Sequence, residues 1–87
     1  MARLELSARK TDEGGAQSGD ALFQLGLMYC SGRDVDVDLI SAHKWFNLAA
    51  MRGSAAAKRY RVEIASEMTK AQISRAQKQA REWLTRH

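Results

Sequence analysis

The chain has 87 residues, 45% of them apolar and 28% charged, which is ordinary for a single globular domain and excludes a disordered chain. The net charge of +4 is unevenly placed, since residues 1–51 hold five basic against seven acidic side chains and residues 52–87 hold nine against three. The single cysteine excludes an internal disulfide, and neither a secretory signal nor an apolar run of about 20 residues is present, so we expect a soluble cytoplasmic protein.

Residues 1–18 carry only a weak pattern and form an N-terminal extension or a short capping helix in our interpretation. Such a helix would cover about residues 1–13 and end at Gly14 and Gly15, because glycine commonly ends helices in a left-handed conformation.

From Gly19 onward, the apolar spacing predicts a first strong helix over about residues 20–31. Leu22, Leu25 and Tyr29 form one stripe of this helix. Gly26 lies on the same face, where the missing side chain allows a second helix to approach closely.

Three more helices follow at short intervals. Asp38 is a suitable N-cap for a helix over about 39–52, which Gly53 ends. The next helix covers about 54–67, and Thr69 with Gln72 has the form of a capping box before a last helix over about 70–86. The absence of proline and the abundance of alanine favour such helices.

The four helices are expected to form two antiparallel pairs, an all-α fold of αα-hairpin repeats in a short α-solenoid. An internal repeat supports this layout, because an offset of 35 residues aligns Leu22 with Ala57 and Leu25 with Tyr60. We divide the chain into the extension at 1–18, a first repeat at 19–53 and a divergent C-terminal repeat or cap at 54–87.

The first repeat resembles the Sel-one-like repeat (SLR) family, a relative of the tetratricopeptide repeat. The residues that carry the resemblance are Ala21, Leu25, Gly26, Tyr29, Gly32, Asp38, Ala42, Trp45, Phe46, Ala49, Ala50 and Gly53. The resemblance implies a TPR-like solenoid that binds protein partners and has neither shared catalytic residues nor a cofactor.

The loop departs from the family pattern at Asp34, which replaces the second glycine of the usual Gly-x-Gly-Val. Aspartate tolerates a left-handed backbone better than most residues, so we expect the turn to survive with some strain.

A candidate calcium site in the sequence lacks the residue spacing that a calcium-binding loop needs. Asp34, Asp36 and Asp38 alternate like the start of a calcium loop, but that loop needs a glycine and a glutamate where this chain has Leu39 and Trp45. We therefore expect no metal site there.

The side chains of His43 and Cys30 do not suggest catalysis, because no acid at suitable spacing would orient the imidazole. We place His43 on the solvent side of its helix. No glycine spacing fits a phosphate-binding loop, so we expect no enzyme activity and no cofactor.

Two surfaces are candidates for binding a partner. Phe23, Leu27 and Met28 lie off the main stripe of their helix, which suggests either cover by residues 1–13 or a groove for a partner's helix or strand, or for a second copy of the chain.

The second candidate surface is a basic face of the last helix, formed by Arg75, Lys78, Arg81 and Arg86, with Arg59 and Arg61 on the helix before. Solvated exterior, an acidic protein partner and nucleic acid are the three interpretations, and we favour the first two. We predict a small protein-binding adaptor, able to form a homo-oligomer or to bind a constitutive partner, with nucleic-acid or polyanion binding by the basic helices as the alternative.

Overall fold

The computed structural model describes residues 18–86, which form four helices and no strand. They are α1 (Gly19–Ser31), α2 (Leu39–Met51), α3 (Ala55–Ala65) and α4 (Lys70–Arg86). The all-α class with helical-hairpin repeats is confirmed, and every predicted boundary lies within two residues of the observed one. The short helix expected over residues 1–13 falls outside the described residues. None of the four helices is long and apolar enough to cross a membrane.

Each helix begins at a side chain that satisfies the unpaired amides of its first turn. Ser18, Asp38 and Ser54 accept hydrogen bonds from the N–H groups of residues three positions later, at 3.0–3.1 Å. The capping box predicted for α4 is confirmed, because the Thr69 N–H donates to Gln72 Oε1 (2.9 Å) and the Gln72 N–H donates to Thr69 Oγ1 (3.1 Å).

The connection between α2 and α3 is a tight reversal at Gly53. Gly53 has a φ of 99°, in the left-handed region that favours glycine. Its N–H donates to Ala50 O (3.0 Å), while the Ser54 N–H donates to Ala49 O (3.0 Å), which is the hydrogen-bond pattern of a Schellman motif. Since Ser54 also caps α3, the chain leaves one helix and enters the next within a few residues.

Helices α1 and α2 pack closely where Gly26 faces Phe46. A Cβ atom placed on Gly26 would overlap Cδ1 and Cε1 of the Phe46 ring and lie 3.0 Å from its Cγ. Phe46 is fully buried, and it is the largest of the side chains that are. The close approach predicted for Gly26 is therefore confirmed. The core as a whole consists of Leu22, Ala42, Phe46, Leu48, Ala49, Ala57, Ile64, Ala76 and Ala80.

Helix α2 is the centre of the described fold, because it has an extensive interface with each of α1, α3 and α4. Within residues 18–86, α3 and α4 have no comparable interface with each other. Trp83 packs in an edge-to-face arrangement with Trp45 of α2, with ring centroids 5.8 Å apart. The second helix pair is therefore assembled on α2 and is more open than the first.

The loop between α1 and α2 contains the left-handed residue predicted from the sequence. Asp34 has a φ of 65°, a left-handed conformation that is uncommon for a residue other than glycine. The second glycine of the family's usual loop would stand at this position. The Asp38 N–H donates to Tyr29 O (3.0 Å), which ties the end of the loop back to the last turn of α1. The loop is thus fixed at both ends against the first helix pair.

Candidate partner-binding surfaces

Phe23, predicted as a partner-binding residue, packs within the described fold. Its ring centroid lies 5.7 Å from that of Phe46 and 5.3 Å from that of Tyr60, the latter in an edge-to-face arrangement. Phe23 is half-buried and joins α1 to both α2 and α3. The side chain therefore helps to hold the repeats together, and only part of its surface is left for a partner.

Leu27 and Met28 are also half-buried, one turn further along α1. Leu27 packs against the core. The carbonyl oxygen of Met28 accepts hydrogen bonds from the N–H groups of Gly32 (2.9 Å) and Arg33 (3.2 Å) at the helix end. The apolar patch predicted on α1 is present but smaller than the sequence suggests, since packing with α2 and α3 uses much of it.

The basic face of α4 is exposed as predicted. Arg75, Lys78 and Arg81 are all exposed, and the opposite side of α4 buries Ala76 and Ala80. The expectation that Arg61 extends this face is wrong. Arg61 is half-buried, and its Nη1 donates to Asn47 Oδ1 of α2 at 2.7 Å, so its charge serves the α2–α3 contact.

A groove at one end of the molecule was missed by the sequence reasoning. It has a volume of about 540 Å³ and lies between the α1–α2 loop and the α3–α4 turn. Its lining consists of Tyr29, Val35, Asp36, Val37, Asp38, Leu39, Ile40, Glu67 and Gln72. We call this surface the loop groove. The alternation of valine with aspartate over residues 34–38 is the signal in the sequence that could have indicated it.

The loop groove is lined by apolar and acidic side chains. Val37 is 59% exposed, an unusual degree for a valine. The Asp38 carboxylate is occupied, because it accepts from Ser41 N–H (3.1 Å) and from Ser41 Oγ (2.8 Å). Asp36 and Glu67 are exposed and bear the remaining negative charge, and no lysine or arginine lines the groove. The groove therefore suits an occupant with apolar stems and positive ends.

The Cys30 thiol lies near one wall of the loop groove. Partial burial raises the pKa of Cys30, and the negative charge of Glu67 raises it further. The thiol is therefore protonated at neutral pH, which makes it a poor nucleophile and a poor metal ligand. Within residues 18–86, no three His, Cys, Asp or Glu side chains come together to hold a metal ion.

The expectation that His43 faces solvent is wrong, because only 3% of its surface is exposed. We had assigned α2 one packed face, whereas α2 packs against three helices and is buried on several sides. The Nδ1 atom of His43 is buried without a hydrogen-bond partner in the described part of the chain. Burial lowers the pKa of His43, and the positive charge of Arg61 lowers it further, so the imidazole is neutral at neutral pH.

Residues 19–54 match the Sel1 repeat family. The resemblance carried by the loop and helix residues of the first repeat is thereby confirmed over residues 19–54. Sel1 repeats generally mediate protein–protein interaction and are typically non-catalytic. No curated protein and no solved structure matches the chain.

Proposed function

We propose that this chain, whose residues 19–54 form a Sel1 repeat, is a non-catalytic adaptor that acts by binding other proteins. The match to the repeat family is the observation that supports the proposal most directly. The chemistry of the described side chains agrees with it. His43 is buried and neutral, and Cys30 is protonated, so neither is poised for acid–base or nucleophilic work.

The surface proposed for the partner is the part of α1 formed by Phe23, Leu27 and Met28. These side chains lie next to one another at helical spacing, and each is half-buried. Phe23 is fixed against Phe46 and Tyr60, so it offers a rigid aromatic edge that loses little entropy on binding. A partner's helix or strand could pack over Leu27 and Met28 against this edge.

Exposed apolar side chains support protein binding as well. Val37 and Val62 are 59% and 66% exposed within the described residues. We expect this surface to be covered by self-association or by a constitutive partner.

A photo-crosslinking residue at Met28 tests the proposal in the native cell. We expect a discrete protein adduct from Met28 and none from the same crosslinker at Lys58, which is exposed on α3. With the captured partner purified, Met28→Glu should weaken binding about tenfold or more by placing a charge against an apolar surface, and Lys58→Glu should not. Equal binding by Met28→Glu and the unaltered chain would contradict the proposal.

The polyanion alternative depends on the exposed basic face of α4 and has less support. Trp83, the aromatic side chain of α4, is half-buried and packs in an edge-to-face arrangement with Trp45, which leaves only part of it to stack on a base. Fluorescence anisotropy with a labelled oligonucleotide separates the two functions. We expect no binding at low salt, whereas binding that weakens steeply with added salt would favour the alternative.

A further inference from the structure

The loop groove has a chemical character that calls for a positively charged occupant. Valine, leucine and isoleucine side chains line it together with two exposed carboxylates, Asp36 and Glu67. A neutral apolar occupant would bury these carboxylates without a partner, which is costly. Lysine and arginine side chains avoid that cost, because their aliphatic stems cover apolar surface while the charged ends reach the carboxylates.

Helix α4 of the same chain presents such side chains on its outer face. Arg75, Lys78 and Arg81 are exposed at intervals of three residues, and Ala71 and Ser74 on the same side leave room for close approach. Within residues 18–86, no carboxylate forms an ion pair with Lys78 or Arg81. Lys78 and Arg81 therefore lack a counter-charge in the described part of the chain.

Lys78 and Arg81 do not line the groove of their own molecule. The Ala76 and Ala80 side of α4 is buried, which turns Lys78 and Arg81 outward. Lys78 lies six positions beyond Gln72 at the edge of the groove, about 9 Å along the helix axis. Both side chains are accessible to another molecule.

We propose that the loop groove binds the basic outer face of helix α4 of a second copy of this chain. Because the groove and the helix face are different surfaces, the contact is head-to-tail, and each molecule keeps one groove and one helix face for further copies. This inference rests on the proposed protein-binding function and names one partner for it. Phe23, Leu27 and Met28 do not line the groove, so the α1 surface is a separate binding surface.

Neutralising each surface separately tests the contact by analytical ultracentrifugation of the purified chain. We expect the mass of the unaltered chain to rise with concentration at low salt and to fall toward that of the monomer at high salt. Asp36→Asn with Glu67→Gln, and separately Lys78→Gln with Arg81→Gln, should each weaken association about tenfold. Circular dichroism of each variant verifies that the helices are intact.

Mixing the two double variants gives the sharpest result. The groove variant keeps an intact α4 face, and the helix variant keeps an intact groove, so the mixture should form a one-to-one dimer and nothing larger. The matched control is Lys58→Gln with Arg59→Gln, which removes the same charge from α3 and should associate like the unaltered chain.

Three results would overturn the inference. The first is an unaltered chain that stays monomeric at low salt and hundreds of micromolar concentration. The second is equal weakening by the control and the two double variants, and the third is a mixture of the double variants that does not dimerise. Since the measurement uses the pure chain, each of these results leaves the crosslinking test of the α1 surface unaffected.

Discussion

The two helix pairs of this chain differ in how they are held together. Helices α1 and α2 are joined by the longer connection, residues 32–38, yet they pack closely through Gly26 and Phe46. Helices α3 and α4 are joined by the shorter turn at 66–69, yet within residues 18–86 they have no extensive interface with each other. The length of a connection therefore does not determine how closely two helices pack.

The apolar side chains of the second pair explain the difference. In α3, Ala57, Tyr60 and Ile64 pack against the core, and the Tyr60 ring contacts Phe46 of α2. In α4, Trp83 packs on Trp45, which also belongs to α2. Helices α3 and α4 each have a single narrow apolar stripe, and both stripes pack against α2. Little apolar surface therefore remains to join α3 to α4.

The largest expected effect is at the contact within the first pair. Gly26→Leu should destabilise the fold by about 3 kcal/mol, and Gly26→Ala by about 1–2 kcal/mol, because even a methyl group overlaps the Phe46 ring. Chemical denaturation measures both changes. Gln24→Leu at an exposed position of the same helix is the control and should change stability little.

A double variant verifies the cause. Adding Phe46→Leu to Gly26→Ala should cost less than the sum of the two single changes, since the smaller side chain makes room for the new methyl group. Strict additivity, or an unchanged melting temperature for Gly26→Ala, would show that this contact does not limit the approach of α1 and α2.

A smaller and more local effect is expected within the second pair. Trp83→Ala should cost about 1–2 kcal/mol, because Trp83 is only half-buried and the change removes its edge-to-face contact with Trp45. Because α4 packs mainly on α2, hydrogen exchange should accelerate in α4 and leave α1 nearly unchanged. Gln77→Ala, exposed on α4, should alter neither. Uniform acceleration over all four helices would mean that the two pairs unfold as one unit.

The smallest expected effect concerns pH and the packing of α2 on α3. The pKa of His43 in the folded chain lies below its ordinary value of about 6.5. Above about pH 6.5, His43 is therefore mainly neutral in both the folded and the unfolded chain. As the pH falls below about 6.5, the unfolded chain takes up a proton that the folded chain does not, and stability declines. The decline is at most about 1.4 kcal/mol per pH unit and stops below the folded pKa.

Thermal melts between pH 7.5 and 5 measure this dependence, and His43→Phe should remove it while keeping a ring in the buried site. His87→Gln deletes the other histidine and should preserve the dependence. A melting temperature that falls equally in His43→Phe would show that other groups cause the loss.

The local features of the fold could be predicted from the sequence, because they depend on residues a few positions apart. The N-cap at Asp38 and the capping box at Thr69 and Gln72 are each recognisable within four residues, and α4 begins and ends where its pattern predicts. The left-handed residue at Asp34 was predicted from the loop of the repeat family, and the structure confirms it.

The candidate surfaces could be predicted only in part. The prediction of a basic face on α4 was correct for Arg75, Lys78 and Arg81, since helical periodicity alone places them together. Arg61 was assigned to the wrong role because its partner, Asn47, is on another helix. The loop groove was missed because its walls, at residues 35–40 and 67–72, are far apart in the chain.

The sequence by itself determined the helices, their caps, the close approach at Gly26 and the repeat to which residues 19–54 belong, since these depend on local hydrogen bonding, side-chain size and periodicity. The tertiary structure decided that α2 packs against three helices, that His43 is buried and that an acidic groove forms between the loop and the turn. These outcomes depend on contacts between residues that are far apart in the chain, and the periodicity within one helix does not specify which other helices it packs against.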